Sequence, residues 1–210
     1  MANALKNEMA QGEDPSERGA NRRDLMLETA CELIYEKGYA SASMRDIANA
    51  VGVTQAAMYY HFANKEEMLF ALIEGFNEQL LSVITKAMSA TGDPVERLIR
   101  TIREHILLGR SHYREFKLLS EDKRHLSESH AEELRQTERK VYSLYRDRMA
   151  ELVEQRGLIG RDPAVCAFNT LSMINYVFNW YRPGGRMSLE EIADQTAEFA
   201  IRGLTGSQAS

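Results

Sequence analysis

What most limits how this chain can fold is its punctuation. Helix-capping residues and stops recur along the sequence, with apolar side chains at three- and four-residue spacing between them. Hardly any stretch alternates apolar and polar residues as a half-buried strand does. Leu27, Ala30, Cys31, Ile34 and Tyr35 form a first stripe that ends at Gly38. Ser43 with Asp46 makes a serine-x-x-acid start, Ile47, Ala48 and Val51 face inward, and Gly52 breaks the helix; Thr54 then caps another that runs to about His61. Asn64 opens a fourth helix, with Glu66 and Glu67 where the dipole favours anions and a stripe of Met68, Leu69, Leu72, Phe76 and Leu80. Gly92-Asp93-Pro94 is a stop followed by a start, and the next helix carries Leu98, Ile102, Ile106 and Leu107. A short piece over His112–Ser120 follows, then a solvated Glu121-Asp122-Lys123-Arg124 connection. Ser129 with Glu132 is expected to open a long helix striped by Leu134, Val141, Leu144, Tyr145, Met149 and Leu152 as far as Gly157. Asp162-Pro163 starts another, which Arg182-Pro183-Gly184-Gly185 ends. Ser188 and Glu191 box the last, with Leu189, Ile192, Thr196, Phe199 and Gly203 on one side. Nine helices joined by short connections predict an all-α fold. Residues 1–20 are polar and aperiodic and are expected to form a mobile arm.

Composition narrows the class. The chain has 210 residues, enough for one domain or two small ones, with 27% charged and 44% hydrophobic residues, the balance of a globular chain. Its two cysteines, Cys31 and Cys166, lie too far apart in sequence to make a disulfide framework, which favours a reducing compartment. Glu8, Glu13, Asp14 and Glu17 stand where a secretory leader would need an apolar run, so a cytoplasmic location is expected. The segment 163–181 carries no charge and nearly reaches membrane-spanning length, yet Asn169, Thr170, Ser172, Asn175 and Asn179 interrupt it; a helix buried in protein on several sides explains the pattern, and no membrane partner is expected. The net charge of −5 gives no general attraction to polyanions, so any nucleic-acid binding must be local.

The informative stretch is Ser43 to Lys65. Two short helices flank Val51-Gly52-Val53, where glycine permits the tight turn of a helix-turn-helix. Met58 anchors the second helix to Ile47, Val51 and Val53, which frees the other side chains to point outward. Gln55 has the chemistry for two hydrogen bonds to an adenine edge, and Ala56 can lie against a thymine methyl. Tyr59, Tyr60 and His61 offer donors at phosphate height beside Thr54, and Lys65 supplies a cation at the start of the next helix. Ser43 and Arg45 sit where a backbone phosphate would meet free N–H groups. Arg45 and Lys65 are the only cations from Ser43 to Lys65 and Asp46 offsets one of them, so these residues by themselves leave a packing cluster with a wet rim open beside a DNA-binding face.

The run Ser43-Met44-Arg45-Asp46-Ile47-Ala48-Asn49-Ala50-Val51-Gly52-Val53-Thr54, followed by Met58-Tyr59-Tyr60-His61-Phe62 and Asn64-Lys65-Glu66-Glu67-Met68-Leu69, resembles the amino-terminal domain of the TetR family of bacterial regulators. Ala30-Cys31-Glu32-Leu33-Ile34-Tyr35-Glu36-Lys37-Gly38-Tyr39 is similar to that family's first helix, and the match covers residues 22–70. The resemblance implies a helix-turn-helix domain over 21–66 and a ligand-binding and dimerisation domain over 67–205. It further implies a homodimeric repressor that places Thr54–His61 in the major groove of a palindromic double-stranded operator. Ala57 stands where some members carry a polar base-reader, so no base contact is carried over to it. Glu121-Asp122-Lys123-Arg124-His125-Leu126 and Asn179-Trp180-Tyr181-Arg182-Pro183-Gly184-Gly185, with Ser188-Leu189-Glu190-Glu191-Ile192-Ala193, look like the branch of fatty-acid and steroid catabolism repressors. That likeness implies a small hydrophobic effector of the acyl-CoA thioester class.

Candidate effector contacts are large or polar-tipped groups on helices expected to face one another: Tyr113, Phe116, Tyr145, Asn169, Met173, Tyr176 and Trp180, with Arg110 and Arg182 available to an anionic group. The helices over 163–181 and 188–204 can form a four-helix seam across a two-fold axis, where Thr196, Ala200 and Gly203 permit close approach. The helix over 64–86 joins the two expected domains and is the natural lever between them. Metal and cofactor chemistry finds no support: His125 and His130 point apart on a helix, and His105 and His112 share a face only at ~10 Å. No nucleophile elbow or glycine-rich phosphate loop is present, so no enzyme activity is expected. A constitutive DNA-binding protein without a small ligand is the rival reading, and an enzyme on the same helical scaffold the remoter one.

Overall fold

The computed structural model describes residues 15–206. Among the described residues nine α-helices and two 3₁₀ turns follow one another and no residue is in a strand; the all-α fold stands as the capping pattern predicts. The helices are α1 (Pro15–Lys37), α2 (Met44–Val51), α3 (Gln55–His61), α4 (Lys65–Ser89), α5 (Pro94–Leu107), α6 (Tyr113–Glu121), α7 (Glu128–Arg156), α8 (Pro163–Trp180) and α9 (Leu189–Thr205). Of the expected arm, residues 1–14 lie outside the described residues, and residues 15–20 already belong to α1. Two compact units divide between Leu72 and Ile73.

In the first unit α1 packs on α2 and α2 on α3. Met26, Ala30 and Ile34, four apart, set the buried line of α1, so Cys31 is buried beside it while Tyr35, one residue past Ile34, turns out to 42% exposure. Ile47, Met58, Phe62, Met68 and Leu69 complete the core, each at most 1% exposed.

The second unit begins within α4, whose Phe76, Leu80, Ile84 and Met88 join one hydrophobic cluster with residues of α5 to α9. Helix α5 packs along α9, and α7 along α8. Local chemistry sets the boundaries. Asp93 Oδ1 accepts from the amides of Val95 and Glu96 at 2.8 and 3.3 Å ahead of α5. Asp162 caps α8 in the same way, and Ser188 and Glu191 close a reciprocal box on α9. Helix α7 corrects the expected start at Ser129. Ser127 is the cap, its hydroxyl accepting from the His130 amide at 3.4 Å. Ser129 lies inside the helix, and Glu132 turns to Arg135 and Arg139 instead of reaching back.

Helix α9 also differs from its expected single stripe. Leu189 and Ile192 are buried with Ala193, Ala197, Ala200, Ile201 and Leu204, whereas Phe199 is 69% exposed and Gly203 is exposed. The apolar residues thus divide between a face turned into this unit and a face turned out. Phe168, Tyr176 and Trp180 of α8 are exposed as well. By length and composition the described helix able to cross a membrane is α4, not 163–181; half of its most apolar window is buried in protein, as in a core helix.

Candidate nucleic-acid interface and ligand cavity

The helix-turn-helix is held by its caps. The Ser43 hydroxyl accepts from the Asp46 amide at 3.1 Å, and the Ser43 amide donates to Asp46 Oδ2 at 3.1 Å. Hydrogen bonds from the Ser43 hydroxyl and then its amide hold the Asp46 carboxyl below the usual carboxylate range. Gly52 ends α2 at φ 78°, a left-handed turn that side-chain-bearing residues rarely adopt. Its N–H donates to Ala48 O, and that of Val53 follows to the same oxygen at 2.9 Å, which brings Thr54 round to cap α3. Thr54 Oγ1 accepts from the Ala57 amide at 3.2 Å.

Burial separates the two sides of α3. Met58 is fully buried and Phe62 nearly so, whereas Gln55 and Ala56 are exposed and Tyr59 and Tyr60 are 53% and 86% exposed. His61 is half-buried, its ring edge-on to Tyr60 with centroids 5.2 Å apart. Thr54 and Arg45 are exposed, and Ser43 is half-buried at its cap. The surface of α3 therefore combines a flat amide, a methyl, two phenols and an imidazole on seven residues with no carboxylate.

Lys65 has a second attachment. Its ammonium donates to Tyr39 O at 2.5 Å and Ala42 O at 2.8 Å and lies 4.2 Å from the centroid of the Tyr39 ring. Two of its three hydrogens are thus spent on the loop before α2, and burial lowers its pKa. Arg23 is a cation beside this surface that sequence reasoning missed; its guanidinium sits 5.0 Å over the Phe62 ring. The Arg22-Arg23 pair upstream of the first stripe was the available signal.

The expected effector residues divide. Phe116 alone among them lines a cavity of about 550 Å³ between α4, α5, α6, α7 and α8, whose wall also carries Asn77, Leu80, His105, Leu119, Val141, Tyr142 and Leu171. A polar cavity of about 850 Å³ adjoins it and shares Ser120, Lys123, Arg135 and Glu138. Tyr145 is fully buried, with its hydroxyl 3.2 Å from His105 Nδ1. Tyr113 packs on Phe178 and Tyr181. Met173, Tyr176 and Trp180 line a separate groove of about 400 Å³ with Met187, Thr196 and Phe199. Asn169 is exposed, and Arg110 pairs with Glu190. Asn77 and Tyr142 escaped sequence reasoning, and His105 was weighed there only as a metal ligand, because no local pattern marks which helix positions share a cavity.

Comparison with known proteins follows the same division. Residues 26–72 match the family described as bacterial regulatory proteins, tetR family, and residues 91–204 match the tetracyclin repressor-like, C-terminal domain. The HTH-type transcriptional repressor KstR2 of Mycobacterium tuberculosis is 26% identical over 191 residues, spanning 88% of this chain and 94% of the relative. The crystal structure of the TetR family transcriptional regulator PfmR from Thermus thermophilus is 30% identical at a TM-score of 0.79, covering 84% of this chain and 97% of that one. AibR in complex with isovaleryl coenzyme A and operator DNA is 31% identical at a TM-score of 0.76, covering 85% and 97%. With both its helix-turn-helix and its carboxy-terminal helices matched, this chain belongs to the TetR family of DNA-binding transcriptional regulators.

Proposed function

We propose that the protein is a cytoplasmic homodimeric repressor which binds a palindromic operator and is released by an acyl-CoA thioester. The observation that carries the DNA half is the division of α3: Met58 is fully buried while Gln55, Tyr59 and Tyr60 stand in solvent. In this reading α3 enters the major groove, Gln55 reads an adenine and Ala56 a thymine methyl. Ser43, Arg45, Thr54, Tyr59, Tyr60 and His61 meet the backbone, as does the remaining N–H of Lys65. Two copies set about 34 Å apart read the half-sites.

The outward faces of α8 and α9 support the homodimer. Phe168, Tyr176, Trp180 and Phe199 are each more than half exposed, and a second copy would cover them as a self-complementary seam. The effector half rests on the adjoining cavities: the apolar one suits an acyl chain, and Lys123, Arg124 and Arg135 in the polar one suit phosphates. Lys123 and Arg135 are paired with Glu138 and Glu132, so phosphates would displace carboxylates already in place. AibR, bound to isovaleryl coenzyme A and operator DNA in its solved structure, supports the same class. Shifting the DNA-competent population from 99:1 to 1:99 takes about 5.5 kcal/mol of differential affinity, equivalent to burying roughly seven methylenes more in one state. The cavity favours this reading over constitutive DNA binding, which needs no such space.

The test is selection of binding sites from random duplex DNA, followed by fluorescence anisotropy with and without isovaleryl-CoA. An inverted repeat should emerge, with affinity falling steeply with salt and falling again on addition of the thioester. Thioesters that bind yet leave operator affinity unchanged remove the effector mechanism; failure to enrich any site removes the repressor reading.

A further inference from the structure

The apolar cavity carries two buried polar atoms with nothing to bond. Asn77, on α4, is 3% exposed and His105, on α5, is 1% exposed, and both contribute to the cavity wall. Asn77 Nδ2 and His105 Nε2 each lack a hydrogen-bond partner. An unpaired buried donor or acceptor has given up water and gained no partner, so a wall holding two of them is costly as plain packing.

The chemistry of the two groups follows from their neighbours. The Tyr145 hydroxyl lies 3.2 Å from His105 Nδ1, and among the described residues it has no other partner. Of the two tautomers, the one in which the hydroxyl donates to Nδ1 leaves fewer groups unpaired, and it carries the proton of the neutral ring on Nε2. Burial keeps the imidazole neutral, pulling its pKa down to about 3. Both orphaned nitrogens are then uncharged N–H donors of residues that line a wall whose other members include Leu80, Phe116, Val141 and Leu171. The cations that line the same cavity, Lys123, Arg135 and Arg139, are already paired with Glu138 and Glu132.

We infer that this cavity selects its ligand by an uncharged carbonyl oxygen, as in an ester, thioester or ketone, which accepts hydrogen bonds donated by the Asn77 amide and His105 Nε2–H. The inference rests on the ligand-responsive reading above and deepens it: the acyl chain supplies affinity, and the carbonyl supplies discrimination. A hydrocarbon leaves both donors unpaired. A carboxylate brings a charge into a wall whose two free donors are neutral.

The experiment compares isovaleryl-CoA with S-isopentyl-CoA, in which a methylene replaces the carbonyl, by calorimetric titration of the purified protein. A second pair, 2-octanone and 2-methyl-1-octene, differs in the same atom without coenzyme A and is read by thermal shift. The wild type should prefer the carbonyl member at least tenfold in the first pair, or show the larger thermal shift with it in the second. Asn77→Leu should reduce that preference to threefold or less, and His105→Leu combined with Tyr145→Phe should do the same without orphaning the phenol. Asn77→Leu should retain the wild-type Tm or exceed it, since it removes an unpartnered amide. Binding of the ketone pair alone, with the preference intact, sinks the acyl-CoA reading and leaves this inference standing. Equal affinity for both members of a pair, a preference that survives the substitutions, or no binding of either pair overturns it. So does an Asn77→Leu protein that melts several degrees lower and keeps the preference, because the amide is then structural.

Discussion

Gly109 offers the sharpest test of the packing beside the cavity. It is buried in the 3₁₀ turn Leu108–Arg110, and a Cβ added there would lie 2.2 Å from Phe178 Cε1 and 2.4 Å from Cζ. Ordinary carbon contacts are about 3.5–4.0 Å, so Gly109→Ala demands that the ring retreat by more than an ångström. It has little room to do so: Phe178 is 2% exposed and stacks on Phe116 with centroids 3.9 Å apart and planes 17° off parallel. Overpacking of this kind costs about 1–3 kcal/mol, and the stiffer unfolded chain of alanine returns about 0.4–1 kcal/mol. The net loss is about 1–2 kcal/mol, or a fall of roughly 2–8 °C in Tm at about 2–4 °C per kcal/mol for a chain of this size. Phe178→Leu should relieve the clash, so a double-mutant cycle should show coupling above about 0.5 kcal/mol. Scanning calorimetry of the four proteins measures it. A Gly109→Ala protein as stable as the wild type, or strictly additive effects, would refute the argument.

Four further outcomes follow from the site and its surroundings. Gln55→Ala should lower affinity for the best operator by about 1–3 kcal/mol and relax preference at one base position; uniform weakening on all sequences in a binding-site selection removes the base-reading role. Met58→Ala, at a fully buried anchor, should cost about 2–5 kcal/mol and abolish operator binding together with the stability of the first unit, read by denaturant titration. Phe199→Glu should convert the proposed dimer to a folded monomer in sedimentation, with helical content retained because the side chain is 69% exposed; a dimer that persists excludes this face. His105 binds its proton less readily folded than unfolded, with pKa values of about 3 against 6.5. Stability should therefore fall as pH drops from about 6.5 toward 3, by up to about 1.4 kcal/mol per unit from this group, and His105→Leu with Tyr145→Phe should flatten that slope.

The helices were legible because their ends carry their own chemistry. Ser43 with Asp46, Asp93-Pro94 and Ser188 with Glu191 are complete signals within four residues, and each caps its helix as the spacing predicts. Ser129 misled because Ser127 stands two residues earlier with an equally available hydroxyl, and only the fate of Glu132 distinguishes them. The outward side of α3 was readable from one buried anchor, Met58. The cavity was not readable, since which aromatic residues share a space depends on how α4 to α8 stack, and no local pattern encodes that. Phe116 faces the cavity, whereas Tyr145, equally aromatic and apolar in its surroundings, is packed behind it on His105. Lys65 looked like a solvent-facing cation; its hold on Tyr39 O and Ala42 O joins residues more than twenty positions apart.

The stack of Phe178 on Phe116 also bears on which guests can enter. Phe116 is at once a tile of the cavity and the outer leaf of a pair whose inner leaf is jammed against a bare backbone at Gly109. That side behaves as a fixed floor, and under the proposed function a bulkier acyl group would find extra room by displacing less buried members of the wall, among them Leu119, Tyr142, Leu171 and the exposed Phe168. Variants that broaden the repertoire of the proposed effector should accordingly cluster on α6, α7 and α8 at those positions and spare Phe116 and Phe178.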